Sequence, residues 1–246
     1  MVLTQTTDYP YDDSIRIRID ENRCGEFTLK IRIPGWADND PVPSDLYAYA
    51  VKGEGGFKYQ INLGIQGSMN GMSAGSNIRT ARYAHTNDNK AKVYVTPDGY
   101  LNITRKWKKG DEVTICFEMQ PRVVLAHENV EADRGMVAIE RGPLVYCAEW
   151  ADNDFDIKNV VINPEAKFTL GERDLSTFIP EERKAQLSTW ASQHITTLST
   201  EAQLVTSDAK GTPQYETVNL TLTPYYTWAH RGRGDMKVWL PVSSEP

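Results

Sequence analysis

The 246-residue sequence has no stretch that approaches the ~20 apolar residues needed to cross a lipid bilayer. Residues 1–12 are polar and lack the apolar core of a secretory signal peptide. We therefore expect a soluble chain with no membrane partner, and the sequence says nothing direct about export. The sequence leaves open whether a longer bacterial parent protein resides in the periplasm or in the cytoplasm.

Cysteine is scarce, and the three cysteines, Cys24, Cys116 and Cys147, are far apart. This number and spacing exclude a disulfide-dense secreted domain. Cys116 and Cys147 lie in apolar runs, which is typical of a buried thiol that packs as a small hydrophobic side chain. The four histidines are isolated and no Cys-x-x-Cys or His-x-His occurs, so we expect no metal site and no cofactor in this chain.

An excess of positive charge is also lacking, because 27 basic residues face 33 acidic ones and the formal net charge is −6. Nucleic-acid binding requires a basic surface that displaces counterions from phosphates. The only basic clusters are short, at residues 105–109 and 230–233. We therefore expect no nucleic-acid partner.

Acidic residues are numerous, but none forms a diagnostic catalytic pattern. Glycoside hydrolysis requires two carboxyl groups about 5–10 Å apart across a cleft. Glu140 could pair with Glu149 or with Asp235 in such a site, whereas surface or ion-paired roles are commoner for carboxylates. The residues alone therefore predict no complete catalytic site.

Alternation of apolar and polar residues dominates the first half of the chain. It predicts strands at residues 14–20, 27–33, 100–105 and 112–117. Short Gly- and Asn-containing turns separate the members of each consecutive pair, which favours two antiparallel hairpins. Between the pairs lies a long insertion, about residues 38–89, that is rich in Gly, Asn, Ser and Tyr and has room for one strand near residues 57–63.

The second half shows the same all-β pattern. Strands are predicted at residues 136–140 and 143–147, joined by a turn at Arg141–Gly142, and at residues 157–162, 218–223 and 236–240. We therefore predict two consecutive antiparallel β-sandwich (jelly-roll-like) domains, residues 1–129 and 130–246. The first of them carries the long loop insertion.

Aromatic residues supply a further functional indication. Several of them lie in Pro- and Gly-containing segments rather than in strand centres: Trp36, Tyr47, Tyr49, Tyr225, Tyr226 and Trp228. Exposed rings of this kind can stack on sugars. They can equally seal a contact between domains, where amphipathic aromatic residues are enriched. Both interpretations stay open from the residues alone.

Seven segments in the same order along the chain carry a family resemblance. They are residues 5–10, 29–37, 99–101, 105–111, 119–122, 138–147 and 224–236. Together they resemble the C-terminal part of glycoside hydrolase family 127, the β-L-arabinofuranosidase-like group. The resemblance implies that a catalytic α/α barrel comes first in such proteins and that β-sandwich domains follow it.

The resemblance further implies a zinc-bound cysteine nucleophile and a glutamate acid/base, all of which lie in the barrel. We therefore expect this chain alone to be no enzyme but a non-catalytic accessory region of a glycoside hydrolase. Its expected partners are the barrel and a plant-type arabinose-containing glycan, and a homodimer is left open. The alternative is a carbohydrate-binding module. Six residues are candidates to contact carbohydrate or the barrel: Trp36, Tyr47, Tyr226, Trp228, His230 and Arg231.

Overall fold

A computed structural model describes residues 1–51, 57–62, 91–182, 184 and 194–242, with backbone only for 57–62. The chain forms two compact units. Unit 1 comprises Met1–Asp40 and Lys52–Met119, and unit 2 comprises Pro41–Val51 and Gln120–Pro246. Helical turns in the described part are at most four residues long, so the all-β prediction is confirmed. None of those turns is long and apolar enough to span a membrane.

The described residues contain seventeen strands. The first eight are β1 (Val2–Thr7), β2 (Ser14–Glu21), β3 (Glu26–Arg32), β4 (Tyr47–Tyr49), β5 (Phe57–Asn62), β6 (Lys92–Val95), β7 (Tyr100–Lys106) and β8 (Glu112–Phe117). The next nine are β9 (Pro121–Ala126), β10 (Met136–Arg141), β11 (Leu144–Glu149), β12 (Val160–Val161), β13 (Thr169–Asp174), β14 (His194–Ser207), β15 (Pro213–Pro224), β16 (Met236–Lys237) and β17 (Leu240–Pro241).

Unit 1 is a β-sandwich of two antiparallel sheets. One sheet has the order β1-β2-β8-β5 and the other has the order β3-β7-β6. Alternate residues of both sheets point into one core, which includes Ile19, Leu101, Ile103, Ile115 and Trp107. Burial of this apolar surface is the main favourable free-energy term for the unit.

The two hairpins predicted in unit 1 are wrong, although their strands are present. β2 pairs with β1 and β8, whereas β3 pairs with β7, so the two members of each predicted hairpin belong to opposite sheets. The turns between them are therefore crossings from one sheet to the other. Asn22 ties the two crossings together, because its Nδ2 donates to the carbonyl oxygens of Gly25 and Trp107, each at 2.8 Å. Alternation defines which face of a strand is buried but not which strand lies beside it.

Unit 2 is built on one large antiparallel sheet with the order β12-β14-β15-β11-β10-β9-β4. β13, β16 and β17 pair with β14, β11 and β10, respectively. The long β14–β15 hairpin has its turn stabilised by Asp208, whose carboxylate accepts hydrogen bonds from the backbone N–H groups of Lys210 and Thr212. The core of the unit includes Ile139, Tyr146, Leu198 and Leu222.

The predicted hairpin at Arg141–Gly142 is confirmed, since β10 and β11 pair with Ile139 opposite Tyr146. Gly142 has φ 59°, a left-handed conformation that favours glycine. The predicted strand at residues 157–162 is largely replaced by a 3-10 turn at Ile157–Asn159 and the two-residue β12. There the Asp156 side chain accepts a hydrogen bond from the Lys158 N–H, a local bond that favours a turn over a strand.

The boundary between the two compact units lies between residues 119 and 120, and β4, which belongs to the predicted insertion, pairs with β9 of unit 2. The domain boundary predicted from the sequence, at residues 129–130, stays a prediction. β5 supplies the strand expected near residues 57–63 and pairs with β8. Within the predicted insertion, residues 52–56 and 63–89 lie outside the described residues.

Candidate functional site

Several buried polar side chains of unit 2 lie on the face of its sheet opposite the core. Residues that are directly opposite in antiparallel strands project to the same face, so the strand register places them. Val124 lies opposite Ala138, and Arg122 lies opposite Glu140. Cys147 lies opposite Thr223 on the next strand pair. Because Tyr146 and Leu222 belong to the core, these neighbours project to the other face.

A buried ion network lies at the end of β11. Arg231 makes two parallel hydrogen bonds to Asp152, Nη1 to Oδ1 at 2.5 Å and Nη2 to Oδ2 at 2.6 Å. Its Nη2 also donates to Glu149, and Arg173 donates to Asp152. The side chains of Glu149 and Asp152 are each 1% exposed, and that of Arg231 is 16% exposed. Two cations thus neutralise two buried anions.

The ring of Phe178 packs against both arginine side chains of this network. Its ring is fully buried, and the guanidinium carbons of Arg231 and Arg173 lie 4.4 Å and 5.4 Å from its centroid. Cation–π attraction of this kind is stronger when the cation is desolvated. The ring therefore holds both arginine side chains in the orientation that meets Asp152.

Two members of the network, Asp152 and Arg231, are held in their charged forms. Burial opposes ionisation of Asp152, but hydrogen bonds from Arg231 and Arg173 outweigh it and hold the pKa of that carboxyl below its usual range. Burial likewise disfavours the Arg231 cation, and its bonds to Asp152 and Glu149 raise its pKa in spite of this. An ion pair held in this way is suited to anchoring structure and unsuited to proton transfer near neutral pH.

The lowered pKa of Asp152 predicts a specific acid sensitivity. The stability that ionised Asp152 contributes is fully present above its unfolded-state pKa and is lost as the pH falls through the lower folded-state pKa. We expect the free energy of unfolding of unit 2 to decrease between about pH 5 and pH 2. Urea titrations across this pH range should show a smaller decrease in the free energy of unfolding for Asp152→Asn than for the unaltered chain. The same dependence of unfolding free energy on pH in both proteins would contradict the account.

Cys147 lies beside this network but is no candidate nucleophile. Burial, and then the negative charge of Glu149, raise the pKa of the Cys147 thiol to about 12. The thiol therefore stays protonated near neutral pH, and it is the thiolate that attacks substrates and binds metals. Among the residues that the structure describes, no three His, Cys, Asp or Glu side chains are grouped so as to hold a metal ion.

The protection of Cys147 can be measured by alkylation. In the native protein at pH 8, iodoacetamide should label the exposed Cys24 and leave the buried Cys147 unmodified. In concentrated urea both should react at similar rates, which controls for intrinsic reactivity. Peptide mass spectrometry reports each site separately. Rapid labelling of native Cys147 would show that its thiol is accessible and ionised.

Glu140 occupies a separate position on the same sheet face. Tyr49 donates a hydrogen bond to its carboxylate, and the Arg122 guanidinium carbon lies 4.1 Å from the Tyr49 ring centroid. Burial raises the pKa of Glu140, although the bond from Tyr49 and the charge of Arg122 oppose the shift. A raised carboxyl pKa alone does not make a glycosidase site, which needs a second carboxyl group.

The acid pairs predicted as alternatives are not brought together. Glu140 lies opposite Val145, and Glu149 follows four residues farther along β11, about 13 Å at strand spacing. Glu149 is bound to Arg231, and Asp235 forms a surface ion pair with Lys158 at 2.9 Å. Glu149 and Asp235 therefore each have a basic partner of their own.

An open cleft of about 700 Å³ lies beside the network. Asn153 forms part of its wall, and its amide is fixed by Nδ2 bonds to the carbonyl oxygens of Glu149 and Thr221. Asp154, Phe155 and Glu216 line the rest together with smaller side chains. Among the described residues that line this cleft, none is Cys, His, Lys or Arg, so it offers neither an activated nucleophile nor a cationic oxyanion donor.

An exposed aromatic turn follows β15. Tyr225–Thr227 forms a 3-10 turn, and the rings of Tyr225 and Trp228 are near-parallel, with centroids 5.9 Å apart and an interplanar angle of 18°. Tyr225, Tyr226 and Trp228 are 45%, 39% and 38% exposed. Of the unit 2 residues after this strand, these present the largest aromatic surface to solvent.

The six residues predicted to contact carbohydrate or the barrel are not all close together. Tyr226, Trp228, His230 and Arg231 share the segment after β15, where His230 is exposed and Arg231 belongs to the ion network. Tyr47 stacks on Trp239 at 5.7 Å elsewhere in unit 2. Trp36 belongs to unit 1, where it is buried in the core against Phe117 at 5.6 Å.

Sequence reasoning missed the partners of Arg231. From the sequence, Glu149 is weighed as a catalytic acid against a surface or ion-paired role, and none of Asp152, Arg173 and Phe178 is singled out. Arg231 is 79 residues from Asp152 along the chain, and nothing in the local pattern of either segment indicates the pairing. The single available signal is a charged residue, Glu149, at the end of the otherwise apolar strand β11.

Two family profiles match almost the whole chain. Residues 1–119 match the β-L-arabinofuranosidase GH127 middle domain, and residues 121–241 match the glycoside hydrolase family 127 C-terminal domain. These matches divide the chain at the same place as the compact units. They agree with the resemblance found in the seven sequence segments.

Individual proteins and solved structures that are similar to this chain also point to this family. The chain is 27% identical over 198 residues to a non-reducing end β-L-arabinofuranosidase of Bifidobacterium longum subsp. longum, covering 76% of this chain and 28% of that protein. A solved GH127 β-arabinofuranosidase is 38% identical with a TM-score of 0.73, and 98% of this chain covers 31% of it. A GH127 β-L-arabinofuranosidase from Geobacillus stearothermophilus T6 is 27% identical, with a TM-score of 0.67 and coverage of 98% and 30%. The chain thus spans less than a third of each relative.

Proposed function

Because the chain belongs to glycoside hydrolase family 127, we propose that it is a non-catalytic accessory region that supports a catalytic α/α barrel. The observation that carries the proposal is the pair of profile matches, since the middle and C-terminal domains of the family account for residues 1–119 and 121–241. The parent enzyme would act on β-L-arabinofuranosides, the substrates that the names of its relatives give.

The chemistry of the described side chains supports a non-catalytic role. Glu149 and Asp152 are neutralised by Arg231 and Arg173, and the Cys147 thiol is protonated. Acid–base catalysis needs a group whose proton can move near the working pH, and covalent catalysis needs an activated nucleophile. Among the described carboxyl groups Glu140 is one whose pKa is raised, and Glu149, its predicted partner, lies about 13 Å away at strand spacing.

The zinc implied for the family does not fit the described cysteines of this chain. Cys24 lies on an exposed turn and Cys116 on β8, both in unit 1, whereas Cys147 is buried in unit 2. A structural or catalytic zinc site requires ligands grouped within bonding distance of one ion. We therefore assign any zinc chemistry to the barrel of the parent protein.

One part of the sequence calls for a direct test of this proposal. Residues 71–75 spell Gly-Met-Ser-Ala-Gly, which matches the Gly-x-Ser-x-Gly pattern of serine hydrolases and lies outside the described residues. The pattern is diagnostic only where a strand precedes it and a helix follows it. The hydrolytic activity of the Ser73→Ala variant, compared with that of the unaltered chain, would distinguish this alternative from the accessory role.

The supporting role itself can be tested by truncation. A full-length family member cut before its middle domain should lose solubility or show a lower melting temperature, since apolar surface of the barrel would be exposed to water. The matched control removes only the C-terminal domain. A barrel that keeps its full melting temperature and yield without both domains would contradict a supporting role.

A further inference from the structure

The segment between β15 and β16 presents aromatic rings to solvent in a way that its structural roles do not require. Tyr225, Tyr226 and Trp228 lie within four residues, and each is at least 38% exposed. Large aromatic side chains favour burial because each can remove 150–250 Å² from water. Three partly exposed rings in one turn therefore indicate a surface that a ligand covers.

The turn is held in one conformation. Thr227 is buried, and its Oγ1 donates to the carbonyl oxygen of Pro224 at 2.7 Å. The N–H of Trp228 donates to the carbonyl oxygen of Tyr225 at 3.1 Å. Arg231 then anchors the following residues in the ion network. A site that is rigid before binding loses little conformational entropy when a ligand arrives.

The ring geometry leaves aromatic surface for a flat apolar ligand face. Tyr225 and Trp228 are stacked on each other, with an interplanar angle of 18° and centroids 5.9 Å apart, and both rings stay partly exposed. An aromatic face carries partial negative charge and attracts the partially positive C–H groups that one side of a sugar ring presents. Polar side chains next along the chain, His230 and Arg233, are exposed and can hydrogen-bond to hydroxyl groups.

The exposed area favours a small ligand over a protein partner. With roughly 150–250 Å² for each aromatic side chain, the exposures of the three residues leave about 180–300 Å² of surface. Trp150, which is 41% exposed and lies against Gly234, adds about 60–100 Å². A stable protein interface buries about 800 Å² on each partner, so the aromatic surface covers at most about half of that.

We propose that Tyr225 and Trp228 form a binding site for a neutral oligosaccharide, with one sugar ring stacked on the exposed face of this stacked pair. The site does not depend on the accessory role proposed above, because a carbohydrate-binding surface can act with or without an attached barrel. It would keep a polymeric glycan close to the enzyme through contacts made away from the reacting bond.

The test is calorimetric titration of this chain with three probes: methyl β-L-arabinofuranoside, a linear arabino-oligosaccharide and a cello-oligosaccharide. We expect a dissociation constant of about 1 mM or tighter for at least one oligosaccharide. Tyr225→Ala and Trp228→Ala should each weaken it by about tenfold. Tyr215→Ala is the matched control, because Tyr215 is 63% exposed on β15 and about 30 Å along the strand from the turn.

Each variant is first compared with the unaltered chain by circular dichroism and thermal unfolding, and His230→Ala provides a second variant on the same segment. Binding that Tyr225→Ala and Trp228→Ala weaken, and Tyr215→Ala leaves unchanged, supports the site. Absence of binding at 10 mM ligand, or equal binding by all variants, overturns it. Self-association in sedimentation that Trp228→Ala abolishes, without sugar binding, would identify a protein-docking surface instead and also overturns it.

Discussion

Replacing Arg231 with methionine is expected to lower the free energy of unfolding of unit 2 by about 3–5 kcal/mol. The substitution keeps much of the side-chain volume but leaves the carboxylates of Glu149 and Asp152 buried with one remaining cation, Arg173. An uncompensated buried charge is costly because it loses hydration without gaining a partner. Urea unfolding followed by circular dichroism measures the change, and hydrogen exchange should show faster opening of residues 225–235.

Arg233→Met is the matched control for this experiment. Arg233 is exposed and two residues away, so its loss should change stability by less than about 0.5 kcal/mol. Adding Glu149→Gln and Asp152→Asn to Arg231→Met removes the buried negative charges and should restore part of the loss. If Arg231→Met were as stable as Arg233→Met, the network would contribute nothing measurable.

Leu101→Ala is expected to destabilise unit 1 by about 2–5 kcal/mol. Leu101 is fully buried on β7, the central strand of the three-stranded sheet, and it packs in the core between the two sheets. Removing its branched side chain loses apolar burial and leaves a cavity that the surrounding strands close only in part. Chemical denaturation resolved by hydrogen exchange should show the loss in unit 1 and unchanged exchange in the unit 2 strands.

Leu3→Ala controls for the chemistry of the Leu101 substitution. Leu3 lies on the edge strand β1 and is 38% exposed, so little apolar surface is lost and no cavity forms. We expect a change below about 1 kcal/mol. A similar effect of both substitutions would mean that the core between the two sheets does not contribute the main stabilisation of unit 1.

The sequence predicted the strands of this fold better than their partners. Strict alternation located β2, β3, β7 and β8 because each has one face in the core. The same pattern could not show that β2 and β3, or β7 and β8, lie in opposite sheets. A short polar turn can either join two paired strands or carry the chain from one sheet to the other. The β10–β11 hairpin was predicted correctly because Gly142 occupies a left-handed position that the turn requires.

The candidate site was less accessible to sequence reasoning. Segment 225–231 was singled out from its aromatic and basic residues, and the structure places those residues together. Trp36 was singled out on the same grounds, yet it packs in the core because the 3-10 turn at Gly35–Asp38 directs it inward. The network of Arg231 joins three segments that are distant along the chain, so only the folded structure reveals it.

The measurement that tests the central claim most directly is hydrolysis of p-nitrophenyl β-L-arabinofuranoside by this chain, with and without added zinc. A full-length family 127 β-L-arabinofuranosidase serves as the positive control. The account predicts no nitrophenol release above the substrate blank, because the two buried carboxylates of Glu149 and Asp152 are both bound by Arg231 and the Cys147 thiol is protonated. Turnover that follows the protein through purification, and that Ser73→Ala or Glu140→Gln abolishes, would contradict it and locate a catalytic site within this chain.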